Sequence, residues 1–539
     1  MFKWPEATIW DGVADVADRW PTSPALLFDG ETMTYADLRE TSRAFAHGLA
    51  ARGVGDGDFI GVWLGTRPAV LQTVLAASYL GAAVVPINAR YRSHEVEYML
   101  ADGECSVVVI EGDLLGENYL DLLVEVVGAF NPADRGGDDP LPSLEHVLTV
   151  GNASDHAGAT SFDAVVEDGR GAPRIDPADD PTAPVAVFYT SGTTGDPKGC
   201  LQSNRSLLNH SHRIGERLGV DEDDVGFTAL PVYGIWGFNS LLSSICHGMS
   251  VVVQTRFDPA EALAAIDDND VTYCSILAIQ LFRMADLGTF EPEMFDSFRR
   301  ATVAFTSSTF TEARFRKIEE MFGFPPVRAY GLSEGNSQVF LGDPEAPFDE
   351  RRKLGGPICH PDERAKIVDP ETGEERPRGE SGEILLKGFN VMSGYLGRPD
   401  ATADAMTDGW FYTGDLGRQV GDDEFVYESR LDDALRTRGF LVLPEQIESV
   451  IDDYPGVVQS QVVGVPHHRH GEVPVAFVTL DDPNVIETDI RAHLEEHIAD
   501  YKVPEAIQVV DAFPRSNGPH GEKVKKAELR ERADDLIAK

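Results

Sequence analysis

Positive charge is scarce in this chain. Lysine fills 11 positions and arginine 35, a total of 46 against 90 Asp and Glu, for a formal net charge of −44 at pH 7. A nucleic-acid surface needs a basic footprint, and docking on an anionic bilayer needs polybasic segments. Neither occurs over most of the sequence, so nucleic acid and membrane are excluded as expected partners. Cysteine is sparse as well: Cys105, Cys200, Cys246, Cys274 and Cys359 are odd in number, far apart and without a C-x-x-C pair. That pattern encodes neither a disulfide framework nor a zinc site and fits a reducing compartment. The opening "MFKWPEATIWDGVADVADRW" carries acids early and has no apolar core segment, which predicts no signal peptide. Long apolar runs are missing too. The most apolar stretch, Ala69 to Val85, contains Gln72 and Ser78 and stops at Pro86. At about 17 residues it is marginal for a bilayer, and it reads as a buried helix running into a buried strand. The expectation is a soluble, cytoplasmic protein.

What is present describes a folded, multidomain chain. With 42% hydrophobic residues, 25% charged, 51 Gly and 33 Pro, the composition is neither disordered nor collagen-like, and 539 residues exceed one hydrophobic core. The acids are spread along the sequence and read as a solvating surface. Their mutual repulsion destabilises a compact state in dilute buffer and is screened in concentrated salt, where the Debye length falls to about 3 Å at 1 M. A salt-rich cytosol of the halophilic kind is therefore expected.

From about 25 to 110, helical patterns ("YADLRETSRAFAHGLAARG", "PAVLQTVLAASYLGA") alternate with short apolar runs ("DFIGVWLG", "AAVVPIN", "CSVVVIE"). This is the rhythm of βαβ units around a mostly parallel sheet, so the fold class is α/β. Residues 131–183 are rich in Gly, Asp and Pro, lack sustained periodicity and read as acidic surface loops. The alternation resumes to about 340 and gives way to short strands and turns, predicting a β-rich subdomain. A last unit of strands and helices from about 431 predicts a small α+β domain, which divides the chain into 1–430 and 431–539.

The sharpest local signal is "YTSGTTGDPKGC", Tyr189 to Cys200, directly after the apolar run "VAVF". A glycine- and hydroxyl-rich turn after a strand lets backbone N–H groups and hydroxyls surround phosphate oxygens, and Lys198 adds charge. Pro197 before Lys198 and Gly199 after it separate the loop from the Walker A pattern. Taken alone, such a loop also fits an ordinary solvated turn.

With its companions the loop resembles the signature of the acyl- and aryl-CoA synthetase, peptide-synthetase adenylation domain and luciferase superfamily, whose members activate carboxylic acids as acyl adenylates. "YGLSEG" (Tyr330 to Gly335), "GWFYTGDLG" (Gly409 to Gly417), "SRLDDALRTRGFLVLPEQIE" (Ser429 to Glu448) and "PRSNGPHGEKVKKAELR" (Pro514 to Arg530) follow in the family's order. "TYADLRETSRAFAHGL" and "GAAVVPINARYRSHEVEYML" extend the likeness to the first half, so it covers nearly the whole chain. The implied fold is a large N-terminal α/β domain with a β-rich subdomain, followed by a small mobile C-terminal domain.

The implied chemistry needs stabilisation of charge building on the α-phosphate and on pyrophosphate. By resemblance, Thr190, Ser191, Gly192, Thr193, Thr194, Gly195 and Lys198 hold the β- and γ-phosphates of ATP, Ser333 meets the α-phosphate and Glu334 helps hold Mg²⁺, a hard ion that takes oxygen ligands. Tyr330, followed by Gly331, lies on adenine. Asp415 accepts both ribose hydroxyls, since an ionised carboxylate offers two acceptor oxygens, and Arg430 adds a donor. Taken singly, Glu334 also fits a solvated loop acid, Tyr330 a core residue and Arg430 a surface one. Lys523 bridges the substrate carboxylate and the α-phosphate, and Asp432 is the hinge of a domain rotation. After that rotation Gly439 leaves room for the pantetheine arm of coenzyme A and Arg438 contacts it. The motif around the lysine is longer than usual and has Glu522 where a glycine is expected, so Lys525 and Lys526 stay as rivals to Lys523. Tyr233, Gly234, Trp236 and Phe238 of "LPVYGIWGFN", with Ser307 and Ser308 of "FTSSTF", are expected to line an apolar, aromatic-walled acyl pocket, although they equally fit core packing.

The reading is a carboxylic acid:CoA ligase acting on a fatty or aromatic acid with ATP, Mg²⁺ and coenzyme A. Transfer of the acyl group to a carrier-protein thiol or an amine, and a non-catalytic nucleotide-binding relative, stand as alternatives. Which acid is used and whether the protein is a homo-oligomer are left open. The acidic surface makes one prediction at this level: activity and melting temperature fall together when salt is lowered to about 50 mM, measured by assay and thermal denaturation across a salt series. Full activity with an unchanged melting temperature at low salt refutes it.

Overall fold

The computed structural model describes residues 4–537 apart from residue 5 and the internal residues 137–138, 152–156, 191–196, 229, 306–309, 438–439, 468–470 and 519–520. Two largely parallel sheets dominate it. One has eight strands in the order Gly394–Tyr395, Lys198–Ser203, Pro184–Thr190, Ala83–Pro86, Phe59–Trp63, Val107–Glu111, His146–Val150 and Ala159–Ser161. The other has seven, in the order Pro326–Val327, Arg300–Ala304, Tyr273–Leu277, Val225–Thr228, Ser250–Val253, Pro24–Phe28 and Glu31–Thr34. Antiparallel pairing is confined to the Gly394/Lys198/Pro184 edge of the first and the Pro24/Glu31 edge of the second. The interior strands are buried on both faces, and so they read as continuous Val/Ile runs instead of alternating ones.

The core between the sheets is built from helices. Ile9–Arg19, Tyr35–Ala50, Pro68–Leu80, Asn204–Leu218 and Ile235–Cys246 contribute to one buried cluster that also holds Leu26 and Val251 from one sheet and Val62, Val84 and Phe188 from the other. The apolar stretch behaves as its composition demands: helix Pro68–Leu80 has every residue from Ala69 to Leu80 buried, and Gly81, at φ 76°, turns the chain into strand Ala83–Pro86. Among the described residues no helix is long and apolar enough to cross a membrane.

A third sheet is antiparallel, in the order Gly355–Pro357, Glu424–Arg430, Trp410–Gln419, Gly382–Lys387 and Arg364–Val368, with Met406–Thr407 beside Trp410–Gln419. It follows the large α/β portion, as the change to short strands and turns indicated. The small C-terminal domain carries the last large sheet, Phe440–Val442, Leu435–Thr437, Gly471–Leu480, Val457–His467 and Ala506–Val509, packed by helices Pro444–Asp452, Glu487–His497 and Lys526–Ile537.

The reading of 131–183 as surface loops is corrected. His146–Val150 and Ala159–Ser161 are strands of the eight-stranded sheet, and Phe162–Gly171 is a helix whose N-cap Ser161 accepts from the Ala164 N–H. The strands are too short to show a period. The helix buries Phe162, Val165, Val166 and Gly169, a spacing that was legible but lay among turn residues. This helix crosses Tyr35–Ala50 at close range: a Cβ on Gly169 collides with the Ala44 carbonyl oxygen, and one on Gly48 with that of Val165. Gly169→Ala therefore forces two backbones apart. A cost of about 1–3 kcal/mol or more is expected, read as a lower thermal midpoint, whereas Gly171→Ala, where the added Cβ meets nothing within 4 Å, leaves it unchanged.

Candidate active site

In open α/β sheets the crevice beyond the carboxyl ends of the strands is the natural ligand site. The strand Pro184–Thr190 ends there, and its hairpin partner Lys198–Ser203 returns with Thr190 paired to Lys198. The intervening Ser191, Gly192, Thr193, Thr194 and Gly195 lie outside the described residues. Lys198 is exposed, its ammonium 5.3 Å from the centre of the Tyr395 ring. The Tyr395 hydroxyl in turn donates to Glu334 Oε1 at 3.0 Å. Desolvation raises the Glu334 carboxyl above its ordinary range, opposed by this hydrogen bond and by Arg430.

Arg430 and Asp415 face each other across two strands of the antiparallel sheet. Asp415, 3% exposed, accepts from Arg430 Nη1 at 2.8 Å and from the Tyr330 hydroxyl at 2.7 Å, while its own N–H is held by Thr413 Oγ1 at 3.0 Å. Burial raises its pKa, and Arg430 pulls it back. Tyr330 is buried, its ring stacked on Phe340 at 5.2 Å and on Tyr427 at 5.3 Å. Desolvation also raises Glu383, whose Oε1 accepts from the Gly414 N–H at 3.0 Å. The result is one exposed guanidinium among three desolvated acids, with Lys198 beyond Tyr395.

Between these groups runs the loop from Gly331 to Gln338. Its backbone is unusual: Asn336, Ser337 and Gln338 have φ of 64°, 61° and 29°, three consecutive non-glycine residues on the left-handed side, each costing about 1–3 kcal/mol unless the surroundings hold it. Gly331 is required by contact, since a Cβ there runs into the Gln338 N–H and the Ser337 carbonyl carbon. Ser333 and Glu334 sit on the short 3₁₀ turn Ser333–Gly335 at the front of this loop.

The structure thus brings together Thr190, Lys198, Tyr330, Gly331, Ser333, Glu334, Asp415 and Arg430. Tyr395 belongs with them and was missed, because a lone tyrosine in "SGYLGRP" gives no pattern to read. Asp432 lies on the 3₁₀ turn Leu431–Asp433, its carbonyl accepting from Arg530 at 3.2 Å. Of the three lysines, Lys526 is committed elsewhere: it bonds Asp433 at 3.2 Å and lies near Glu448 and Glu445, whose charges outweigh the effect of burial and raise its pKa. Lys525 pairs with Glu528 on the surface at 2.8 Å. Lys523 is on strand Gly521–Val524, opposite Ser516, and its side chain lies outside what is described, as do Arg438 and Gly439.

The expected acyl-pocket residues separate. Phe238 is 3% exposed and packs edge-on against Phe188 at 5.4 Å in the core between the sheets, the core-packing alternative that the sequence also allowed. The helix Ile235–Cys246 places it on the inward face. Tyr233 is partly buried against the other side of the eight-stranded sheet, and Gly234 caps the helix. Trp236 is partly exposed, and its indole N–H has no partner among the described residues. Ser307 and Ser308 lie outside the described residues.

Comparison with known proteins agrees with this arrangement. Residues 13–396 match the model of the AMP-binding enzyme family and residues 446–518 that of the AMP-binding enzyme C-terminal domain. The 2-succinylbenzoate–CoA ligase of Geobacillus kaustophilus is 32% identical over 488 residues, 90% of each chain. Among solved structures, ATP-bound MatB from Rhodopseudomonas palustris is 27% identical with a TM-score of 0.83, covering 98% of this chain and 99% of that one. The Bacillus subtilis o-succinylbenzoate CoA synthetase in complex with its acyl-adenylate intermediate is 26% identical with a TM-score of 0.78, covering 97% and 98%. With the family model spanning most of the chain and the desolvated acids, guanidinium and lysine gathered at the ends of its strands, this chain belongs to the AMP-binding enzyme family.

Proposed function

We propose that this site carries out both halves of a ligation on an aromatic or fatty carboxylic acid. The enzyme is an AMP-forming acid–CoA ligase: it activates a carboxylic acid with ATP and transfers the acyl group to coenzyme A. The observation that supports the reading of the site is the linked set Tyr330–Asp415–Arg430 with Glu334, Tyr395 and Lys198 joined beside it. The aromatic acid in the names of the Geobacillus and Bacillus relatives supports an aromatic substrate.

In the first half-reaction a carboxylate oxygen attacks the α-phosphorus, the bond from that phosphorus to the bridging oxygen of the β-phosphate breaks, and pyrophosphate leaves. Asp415 would accept the ribose hydroxyls on the oxygens now engaged by Tyr330 and Arg430. Lys198 and the loop before it would take the outer phosphates, Ser333 the α-phosphate, and Lys523 the charge developing between the two reactants. In the second, the coenzyme A thiol attacks the acyl carbon, loses its proton to solvent, and the C–O bond to AMP breaks. Rotation of residues 431–539 about Asp432 would exchange Lys523 for the Arg438–Gly439 segment.

A divalent cation such as Mg²⁺ fits the donor set. Glu334 offers a hard carboxylate oxygen whose charged form is disfavoured by burial, and it would hold the ion together with the phosphate oxygens of ATP. When bound it would supply charge neutralisation at the phosphates. The acidic surface supports a salt-rich working medium, and five buried, free cysteines support a reducing cytoplasm.

Two experiments test the assignment. Asp415→Ala removes charge-assisted bonds worth about 1.5–3 kcal/mol, so the ATP dissociation constant rises about 10- to 150-fold. An unchanged constant in a folded variant places the ribose elsewhere. The half-reactions divide the C-terminal roles: Lys523→Ala abolishes acid-dependent pyrophosphate exchange while sparing thioester formation from supplied acyl adenylate, and Gly439→Leu does the reverse. Lys525→Ala is the control. A larger adenylation defect there than in Lys523→Ala identifies the wrong lysine.

A further inference from the structure

Every peptide carbonyl from Ser333 to Ser337 accepts a hydrogen bond from a group outside the loop. Gln202 Nε2 donates to the Ser333 carbonyl at 2.7 Å, the Met392 N–H to that of Glu334 at 2.8 Å and Asn390 Nδ2 to that of Gly335 at 3.3 Å. Asn239 Nδ2 donates to the Asn336 carbonyl at 2.7 Å and to its side-chain oxygen at 2.9 Å. His210 Nε2 donates to the Ser337 carbonyl at 3.0 Å. The donors are themselves oriented. Asn336 Nδ2 donates to Ser206 Oγ, which donates to Gln202 Oε1, and Ser211 Oγ donates to Asn239 Oδ1. His210 Nδ1 lies 2.7 Å from Glu363 Oε1, with 0% and 1% of the two side chains exposed. The Ser337 carbonyl can only accept, so Nε2 carries a proton and Nδ1 shares the next with Glu363.

Gln202, Asn239 and His210 each spend a donor on the loop, on a stretch with a left-handed backbone, while Ser206 and Ser211 orient Gln202 and Asn239. Buried carbonyls are costly to leave without donors, so the loop is held where those donors are. Ser333 and Glu334, at its front, then face the site with little freedom.

We propose that Gln202, Asn239 and His210 are positioning residues of the ligase: through the carbonyls of Ser333, Asn336 and Ser337 they fix the loop that presents Ser333 and Glu334 to the reacting phosphates. This rests on the assignment of that loop to the phosphates, and none of the three touches substrate.

Two double variants remove the same ion pair and differ in one hydrogen bond. His210→Gln with Glu363→Gln keeps an N–H within reach of the Ser337 carbonyl, and His210→Leu with Glu363→Leu leaves that carbonyl without a donor. Neither pair buries a charge; the leucine pair, with one carbonyl left without its donor, is expected to melt somewhat lower than the glutamine pair but to stay folded at the assay temperature. Positioning predicts that it nonetheless loses about 10- to 100-fold in adenylation rate at saturating ATP and acid, with the ATP dissociation constant within about threefold of wild type, while the glutamine pair keeps its rate. Amide hydrogen exchange over residues 330–342 should rise in the leucine pair only. Equal rates and equal exchange in the two variants, or a rate loss that tracks ATP affinity and melting temperature, overturns the proposal. If the wild-type enzyme exchanges pyrophosphate with no acid in a panel, the ligase assignment fails, and the exchange comparison still decides whether the loop is held by these donors.

Discussion

A buried peptide carbonyl must have a donor, and five carbonyls in succession, Ser333 to Ser337, tie distant parts of this molecule together. The donors come from the edge of the eight-stranded sheet (Gln202), from two helices between the sheets (His210 and Asn239), and from the segment leading into strand Gly394–Tyr395 (Asn390 and Met392). Strand Ala329–Tyr330 enters the loop beside the seven-stranded sheet, and Tyr330 then bonds Asp415 in the antiparallel sheet. The loop thus ties the eight-stranded sheet, two helices of the core and the 390–392 segment together through its carbonyls, with the antiparallel sheet joined one residue earlier through Tyr330.

The electrostatics follow from a shortage. A chain with 46 basic residues against 90 acidic ones has few cations to place, and it sets Arg430 beside Asp415, Glu334 and Glu383, all three desolvated, with Lys198 over the Tyr395 ring next to them. Desolvation disfavours the charged form of an acid, and it makes each nearby donor or cation count for more than on the surface. Asp415 is bonded through both oxygens to Arg430 and Tyr330, and Glu334 accepts from the Tyr395 hydroxyl and from its own backbone N–H. In the C-terminal domain Lys526 is enclosed by Glu448, Asp433 and Glu445, whose charges outweigh the opposing effect of burial on its ammonium.

Candidate positions can be proposed from the sequence because the family resemblance lies in contiguous, ordered segments, "YTSGTTGDPKG", "YGLSEG" and "GWFYTGDLG". Lys198, Glu334 and Asp415 are proposed that way, and the structure sets them near one another. Tyr395, Gln202, His210 and Asn239 cannot be, since each is a single residue on an otherwise ordinary strand or helix. His210 in "NRSLLNHSHRIGERL" reads as one of several polar residues on a helix, and only packing shows that this face is turned inward, with Asn204, Ser206, Asn209 and Ser211 buried beside it. For Phe238 the sequence left core packing and a pocket wall both open, and packing shows its ring against Phe188.

The sequence by itself determined the α/β class, the buried helix and strand from Ala69 to Val85, the acidic surface and the order of the motifs, because each depends on composition or on residues adjacent in the chain. Tertiary structure alone decided which polar groups hold the site in shape, that 146–150 and 159–171 complete a sheet and a helix crossing, and which lysine is enclosed by acids. Those outcomes depend on residues as far apart as Gln202 and Ser333, or Gly169 and Ala44, whose meeting is a consequence of how whole layers pack. No local pattern carries that information, because a buried donor is recognised only by the acceptor it reaches.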